Sequence, residues 1–120
     1  MTNACTPQEF LGLAQELAQR DNEEICLRTA VNRAYYSLFL TVRDQCQIHG
    51  TKKKKHTEVI AYVKTLNYAA GNKLDTVFKA RKTADYVLDP SQGLPFWKNE
   101  WHRIELLARD IKPKLAKLHP

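Results

Sequence analysis

Residues 23 to 47 carry apolar side chains at steps of three and four, the spacing of a helix with one buried face. The stripe consists of Leu27, Val31, Ala34, Leu38, Val42 and Cys46. A pattern of this length and period excludes a β-strand, whose side chains alternate with a period of two. The chain is therefore predicted to contain one long helix from about Glu23 to Gln47, and its other elements must cover this stripe.

Helix signals precede and follow this segment. The sequence TPQE at residues 6–9 combines a capping residue, a proline at the first helical position and a glutamate, which predicts the start of a first helix. A short third helix follows a loop at residues 49–54, and we expect Gly71 to end it. A fourth helix is predicted from about Leu74 to Leu88, where apolar residues again recur at helical spacing.

A segment rich in helix breakers, DPSQGLP at residues 89–95, separates the fourth helix from a last one. The apolar stripe of the last helix extends from Trp97 to Leu118, and Pro113 should kink or shorten it near residue 112. With only four glycines and five prolines, the chain lacks the tight turns of an all-β fold. The sequence therefore predicts an all-α protein, an up-and-down bundle of four to five antiparallel helices that forms one domain over residues 1–120.

Several classes of protein do not fit this sequence. No apolar run approaches the ~18 residues of a membrane span, and the N-terminus lacks the pattern of a signal peptide. Cys5, Cys26 and Cys46 are odd in number and widely spaced, unlike a disulfide framework or a zinc site. Glycine-rich phosphate loops and the HExxH, CxxC and Gly-x-Ser-x-Gly motifs do not occur. We therefore expect a cytoplasmic protein, not associated with a membrane, that uses no metal ion or other cofactor.

The net charge of +6 is concentrated in one short segment. Lys52, Lys53, Lys54 and Lys55 supply four of these charges, so the rest of the chain is only mildly basic. A local patch of this kind indicates a nucleic-acid partner, and the four lysines are candidate nucleic-acid-binding residues. The alternative is a solvated loop that contacts no partner.

The fourth helix places two opposite charges beside apolar residues. Arg81 and Asp85 are four residues apart and share a helix face with Phe78 and Leu88. A charge beside an apolar stripe is costly unless it is paired or faces a cleft. Two interpretations follow. Arg81 and Asp85 could form a pair that joins two helices, or Arg81 could face a dimer cleft and bind a phosphate with its planar guanidinium.

Three segments together resemble small stand-alone prokaryotic HEPN proteins. Residues 28–39, RTAVNRAYYSLF, resemble the second-helix signature of that family with its Arg-Ala-Tyr-Tyr core. Residues 56–60, HTEVI, are similar to the start of its third helix, and residues 81–86, RKTADY, to its Arg-x-x-Ala-Asp-Tyr motif. Their order and spacing match over about residues 10 to 115, which is nearly the whole chain.

This resemblance implies a helical bundle that forms a homodimer with a cleft at the interface. Many members of the family are metal-independent endoribonucleases of toxin–antitoxin or defence systems. Others bind RNA or nucleotides without cutting them, and many work with a minimal nucleotidyltransferase as partner protein. The active members use an Arg-x4–6-His motif, in which arginine suits the phosphate and histidine suits proton transfer.

The sequence departs from this motif after Arg81, because no histidine follows at the required spacing and the polar residues found in this region are Asp85 and Tyr86. His56 could supply the proton-transfer group if its helix faces Arg81, or it could simply pack on the bundle. Arg43 and His49 fit the motif's spacing but lie at the end of the second helix. The candidate catalytic residues implied by the resemblance are therefore Arg81, Asp85, Tyr86 and His56.

Tyrosines and arginines of the second helix add candidates for RNA binding. Tyr36 and Arg33 could contact a single strand, the ring by stacking on bases, whereas Tyr35 is expected in the core. Two functions remain open at this stage. One is a HEPN-like metal-independent endoribonuclease, and the other is a non-catalytic RNA- or nucleotide-binding dimerisation module that partners a minimal nucleotidyltransferase. A purely structural bundle is a third alternative.

Overall fold

The computed structural model describes residues 6–48, 55–89 and 92–120, and within these ranges the regular elements are all helices. They are α1 (Pro7–Ala18), α2 (Glu24–Cys46), α3 (His56–Leu66), α4 (Tyr68–Tyr86) and α5 (Leu94–Leu115). The predicted all-α bundle is thereby confirmed. The predicted loop with Lys52, Lys53 and Lys54 lies outside the described residues.

Capping chemistry sets the start of α1, as the sequence predicts. The side-chain oxygen of Thr6 accepts a hydrogen bond from the backbone N–H of Glu9 at 3.2 Å. Pro7 occupies the first turn, where a missing N–H costs nothing because that group has no helical partner. Leu11 and Ala14 then turn into the core.

Helix α2 lies at the centre of the bundle and packs against α1, α4 and α5. Helices α2 and α5 run parallel, since Arg28 contacts Trp97 near their starts and Gln45 contacts Leu118 near their ends. Contacts between α1 and α2, α2 and α4, and α4 and α5 pair residues in opposite order, so those helices run antiparallel. The pairs are Pro7 with Ser37, Asn32 with Asp85, Tyr36 with Arg81, and Lys73 with Asp110. The predicted stripe of α2 is buried from Leu27 to Val42.

The boundary between α3 and α4 differs from the prediction. We expected Gly71 to end α3, but α3 ends at Leu66 and Asn67 caps α4 by accepting from the N–H of Ala70 at 3.1 Å. Gly71 lies inside α4 and is buried. A Cβ at this position would come within 2.6 to 2.8 Å of side-chain and backbone atoms of Lys64. The glycine therefore permits close approach of α3 and α4 and does not end a helix.

The ends of α4 and α5 also differ from the prediction. The sequence places the end of α4 at Leu88, yet the helix ends at Tyr86 and Leu88 is 88% exposed. Helix α5 continues past Pro113 to Leu115, whose side chain is fully buried. A proline this close to a helix end removes only one backbone hydrogen bond, which burial of the following turn can offset. No helix in the described part of the chain is long and apolar enough to cross a membrane.

A buried arginine terminates α4. Arg28 of α2 is only 6% exposed, and its guanidinium donates hydrogen bonds to three carbonyl oxygens at the end of α4. Nε donates to Ala84 at 2.8 Å, and Nη2 donates to Thr83 at 3.3 Å and to Val87. The last carbonyls of a helix have no partner within the helix, so this side chain satisfies them. Arg28 thus fixes the end of α4 against α2.

Two further contacts hold Arg28 in place. Nη1 donates to the Glu24 carboxylate at 3.1 Å, one turn earlier on α2. The guanidinium carbon also lies 5.1 Å from the centre of the Trp97 ring, which is fully buried on α5. One side chain therefore connects α2, α4 and α5.

Replacing Arg28 by methionine should lower the free energy of unfolding by about 3 kcal/mol, because buried carbonyls lose their donors. Urea unfolding followed by far-UV circular dichroism measures this loss. The matched variant Glu24→Gln should cost less than about 1 kcal/mol, because Glu24 is 39% exposed and keeps an oxygen acceptor. An Arg28→Met protein as stable as Glu24→Gln would contradict this role.

Two glycine-to-alanine variants should change stability in opposite directions. Gly71→Ala should destabilise the protein, because the new methyl group collides with the backbone of Lys64. At Gly12 in α1, an added Cβ would meet no atom of a neighbouring element within 4 Å among the described residues. Gly12→Ala should therefore raise the free energy of unfolding by about 0.5 to 1 kcal/mol, because alanine has the higher helix propensity. Urea unfolding of both variants measures the sign of each change in the free energy of unfolding. A stabilised Gly71→Ala protein would disprove the close approach of α3 and α4 at this glycine.

Candidate functional site

Arg81 projects from α4 towards α2 and is largely enclosed by its own chain, with 13% of its side chain exposed. Nη2 donates a hydrogen bond to the Tyr36 hydroxyl at 3.2 Å. Nε is buried and lies 3.0 Å from Oδ2 of Asp85, but it makes no aligned hydrogen bond. The pair within one chain that the sequence suggested is therefore present, and among the described residues the Nε–H of Arg81 is ion-paired without an aligned hydrogen bond.

Asp85 of α4 contacts one residue of its own helix and one residue of α2. Its Oδ2 accepts a hydrogen bond from Nδ2 of Asn32 at 2.9 Å in addition to its ion pair with Arg81. About a quarter of the Asp85 side chain, 24%, remains exposed. Sequence reasoning did not select Asn32 as a site residue, although it lies on the polar row of α2 one turn from Arg28 and one turn from Tyr36. This one-turn spacing is the feature of the sequence from which Asn32 could have been predicted as a site residue.

Three tyrosine rings surround the Arg81 guanidinium. Its carbon lies 5.4 Å from the ring centre of Tyr36, 5.9 Å from that of Tyr35 and 6.0 Å from that of Tyr86. Cations are attracted to aromatic faces at such distances. Tyr35 is fully buried, as predicted, whereas Tyr86 is 73% exposed and presents most of its ring to solvent. We define the Arg81 cluster as Asn32, Tyr36, Arg81, Asp85 and Tyr86.

His56, the first residue of α3, packs beside this cluster. Its Nδ1 lies 2.6 Å from the Tyr35 hydroxyl, and its ring centre is 4.5 Å from Phe39 and 5.5 Å from Phe78. Burial, and secondarily the charge of Arg81, lowers the pKa of His56. The neutral imidazole is therefore favoured in the folded protein.

Tyr35 determines which nitrogen of His56 is available. Burial raises the pKa of the Tyr35 phenol, against the opposing effect of Arg81, so the hydroxyl stays protonated. A protonated phenol can donate to a neutral Nδ1, and in that tautomer the imidazole proton lies on Nε2. Because the ring is then neutral, Nε2 offers a hydrogen-bond donor and does not act as a general acid.

The other candidate residues lie apart from Arg81 or outside the described residues. Arg33 packs on α1, with its guanidinium carbon 6.0 Å from the ring centre of Phe10. Lys55 is exposed and immediately precedes α3, so it is next to His56 in the chain. Lys52, Lys53 and Lys54 are not among the described residues.

Within residues 6–48, 55–89 and 92–120, no group of three or more His, Cys, Asp or Glu side chains is arranged to hold a metal ion. Comparisons with models of protein families, with curated proteins and with solved structures find no match to this chain. A functional assignment therefore depends on the geometry of the Arg81 cluster and on the sequence resemblance.

Acidification should weaken the fold through His56. A histidine in an unfolded chain has a pKa near ~6.5, and the folded protein lowers this value, so the unfolded state takes up the proton first. The stability contributed by neutral His56 is complete above about pH 6.5 and is lost as the pH falls through the lowered pKa. Urea unfolding at a series of pH values should show this decline, and His56→Gln should reduce it.

His102 provides the matched control for this measurement, because it is exposed on α5. A His102→Gln protein should keep the pH dependence of the parent. If His56→Gln and the parent lose stability equally over this pH range, then burial of neutral His56 does not contribute.

Proposed function

We propose that the chain is a HEPN-like RNA- or nucleotide-binding module whose Arg81 cluster receives a phosphate group. One observation carries the proposal: the three segments of the resemblance, which lie far apart in sequence, meet at one place. Asn32 and Tyr36 of α2 bond to Asp85 and Arg81 of α4, and His56 of α3 packs beside them.

The contacts of Arg81 support a phosphate ligand. Its planar guanidinium offers several donors, and Nε, although 3.0 Å from Oδ2 of Asp85, makes no aligned hydrogen bond with any described residue. A phosphate that enters beside the guanidinium competes with the partly exposed carboxylate of Asp85 and can accept two hydrogen bonds from it. The exposed ring of Tyr86 then offers a surface on which a base can stack.

The geometry favours binding over cleavage. Arg81 is mostly covered and is already paired with Asp85, so its charge is partly compensated. Nδ1 of His56 is engaged by Tyr35, and no histidine follows Arg81 at the spacing of the active family members. Homodimerisation and a minimal nucleotidyltransferase partner form part of the same proposal and rest on the sequence resemblance alone.

Metal-independent endoribonuclease activity is the second candidate, and the position of His56 favours it. Cleavage of RNA requires activation of a 2′-hydroxyl, stabilisation of charge on the phosphoryl oxygens and protonation of the leaving oxygen. Arg81 would stabilise the charge, and His56 would protonate the leaving oxygen as the imidazolium, a form that its lowered pKa disfavours at neutral pH. Asp85 is the carboxylate nearest to Arg81 that could accept the hydroxyl proton.

One experiment distinguishes the two candidates. Purified parent protein, Arg81→Ala and Arg81→Lys are incubated with single-stranded RNA in EDTA, and both binding and cleavage are measured. We expect binding by the parent without cleavage, and about tenfold weaker binding by Arg81→Ala, as for the loss of one charge-assisted hydrogen bond. Arg81→Lys should be intermediate, because it keeps the charge without the planar fork.

Arg103→Ala is the matched control, because Arg103 also pairs with a carboxylate one turn away but lies on α5. It should bind RNA like the parent, and circular dichroism verifies that each variant is folded. If the parent cleaves RNA and Arg81→Ala does not, the endoribonuclease is supported and the non-catalytic binding function is rejected. A parent that binds neither RNA nor nucleotides, or an Arg81→Ala protein that binds like the parent, would reject the proposed site.

A further inference from the structure

The end of α5 carries a second concentration of positive charge, remote from Arg81. Residues 109–119 contain Arg109, Lys112, Lys114 and Lys117 but only one carboxylate, Asp110. We call these four cations the basic end. This end lies beside the end of α2, because Nε2 of Gln45 donates to the carbonyl of Leu118 at 2.7 Å.

Most of this charge is not compensated within the chain. Asp110 pairs with Lys114 at 3.1 Å and with Lys73 of α4 at 2.6 Å. Arg109, Lys112 and Lys117 take part in none of the ion pairs formed among the described residues. Cations in the last turn of a helix are stabilised by its dipole, which accounts for Lys112. The dipole does not account for Arg109 before that turn or for Lys117 after it.

Shallow grooves surround the basic end, and at least one of its cations lines each of them; the groove at the end of α2 is also lined by the carboxylate of Asp44. One lies between α1 and α5, one extends from there to the end of α2, and one separates the end of α5 from the α3–α4 junction. Side-chain amides that can donate hydrogen bonds share these grooves with the cations. They are Gln8 and Gln15 of α1, Gln45 of α2, and Asn67 between α3 and α4.

The opposite end of the bundle has no such excess of positive charge. In the turn from α1 to α2, Arg20 stands beside Asp21 and Glu23, and Glu24 is paired with Arg28. A polyanion is therefore attracted to the basic end more strongly than to that turn.

The spacing within the helix suits a nucleic-acid strand, since the five residues from Arg109 to Lys114 span about 7 Å at helical rise. Phosphates of one strand follow each other every ~3.4 Å along a duplex axis, so this span covers about two of them, and Lys117 adds a charge beyond the end of the helix.

We propose that the basic end binds the phosphate backbone of RNA as a contact separate from the Arg81 cluster. This inference rests on the proposed function for its choice of RNA as the polyanion. The two surfaces are different places on the bundle: Tyr36 of the Arg81 cluster and Gln45 beside the basic end are nine residues apart on α2, about 14 Å at helical rise. The basic end supplies salt-dependent affinity that carries no sequence preference.

The salt dependence of RNA binding tests the proposal. Arg109→Gln/Lys117→Gln removes two exposed cations that have no ion pair, so the fold should not change. Each phosphate contact with a single strand contributes about 0.7 to the slope of log K against log salt concentration. We expect the slope of this double variant to be shallower than that of the parent by about 1.4, measured with short single-stranded RNA between about 50 and 200 mM salt.

Arg20→Gln/Lys98→Gln is the matched control. It removes the same charge from exposed residues near the opposite end, in the α1–α2 turn and the first turn of α5, and should keep the slope of the parent. If both double variants change the slope equally, overall charge is responsible and the basic end is not a contact. If the parent binds RNA through Arg81 but Arg109→Gln/Lys117→Gln keeps its slope, this proposal fails and the proposed function stands.

Two other outcomes would also overturn the assignment. A parent that binds no RNA would reject this proposal, and it would reject the proposed function as well only if the parent also bound no nucleotide. The double variant at the basic end could instead keep the RNA slope of the parent and lose binding to vesicles of anionic phospholipid. The surface would then belong to a membrane partner.

Discussion

Three helices pack against α2 at once, and this burial requires that every polar side chain on its enclosed faces has a partner. Three residues of α2, namely Arg28, Asn32 and Tyr36, find their partners on a single neighbouring helix, α4. Each residue is one turn from the next, and each bonds to a different group near the end of α4. The contact between α2 and α4 is therefore a polar junction inside an otherwise apolar bundle, and the Arg81 cluster is its outer edge.

Much of the fold could be predicted from the sequence because it depends on local spacing. The stripe of α2 and the cap at Thr6 are properties of neighbouring residues, and the structure confirms both. The end of α3 could not be predicted in this way. Gly71 looks like a helix stop in sequence, but its role is set by Lys64 of another helix, which comes close only in the folded protein.

In the candidate site, too, features set by neighbouring residues could be predicted and features set by contacts between helices could not. The four-residue spacing of Arg81 and Asp85 predicts their pair, which the structure contains. Asn32 and the cage of Phe39 and Phe78 around His56 could not be predicted, because contacts across helices depend on rotation and register. The choice between a phosphate site and a helix junction was open in the sequence. The junction is present, and within the described residues its one poorly aligned contact, Nε of Arg81 with Asp85, is where a phosphate could compete.

The way in which Arg28 ends α4 has a consequence for how freely this chain can vary. All three acceptors at the end of α4 are main-chain oxygens, which every amino acid supplies. The residues at positions 83, 84 and 87 can therefore be exchanged without loss of these bonds, provided that their own packing allows it. For these hydrogen bonds, selection acts on the side chain at position 28 of α2 alone. Substitutions can therefore accumulate at the end of α4 and are restricted at position 28.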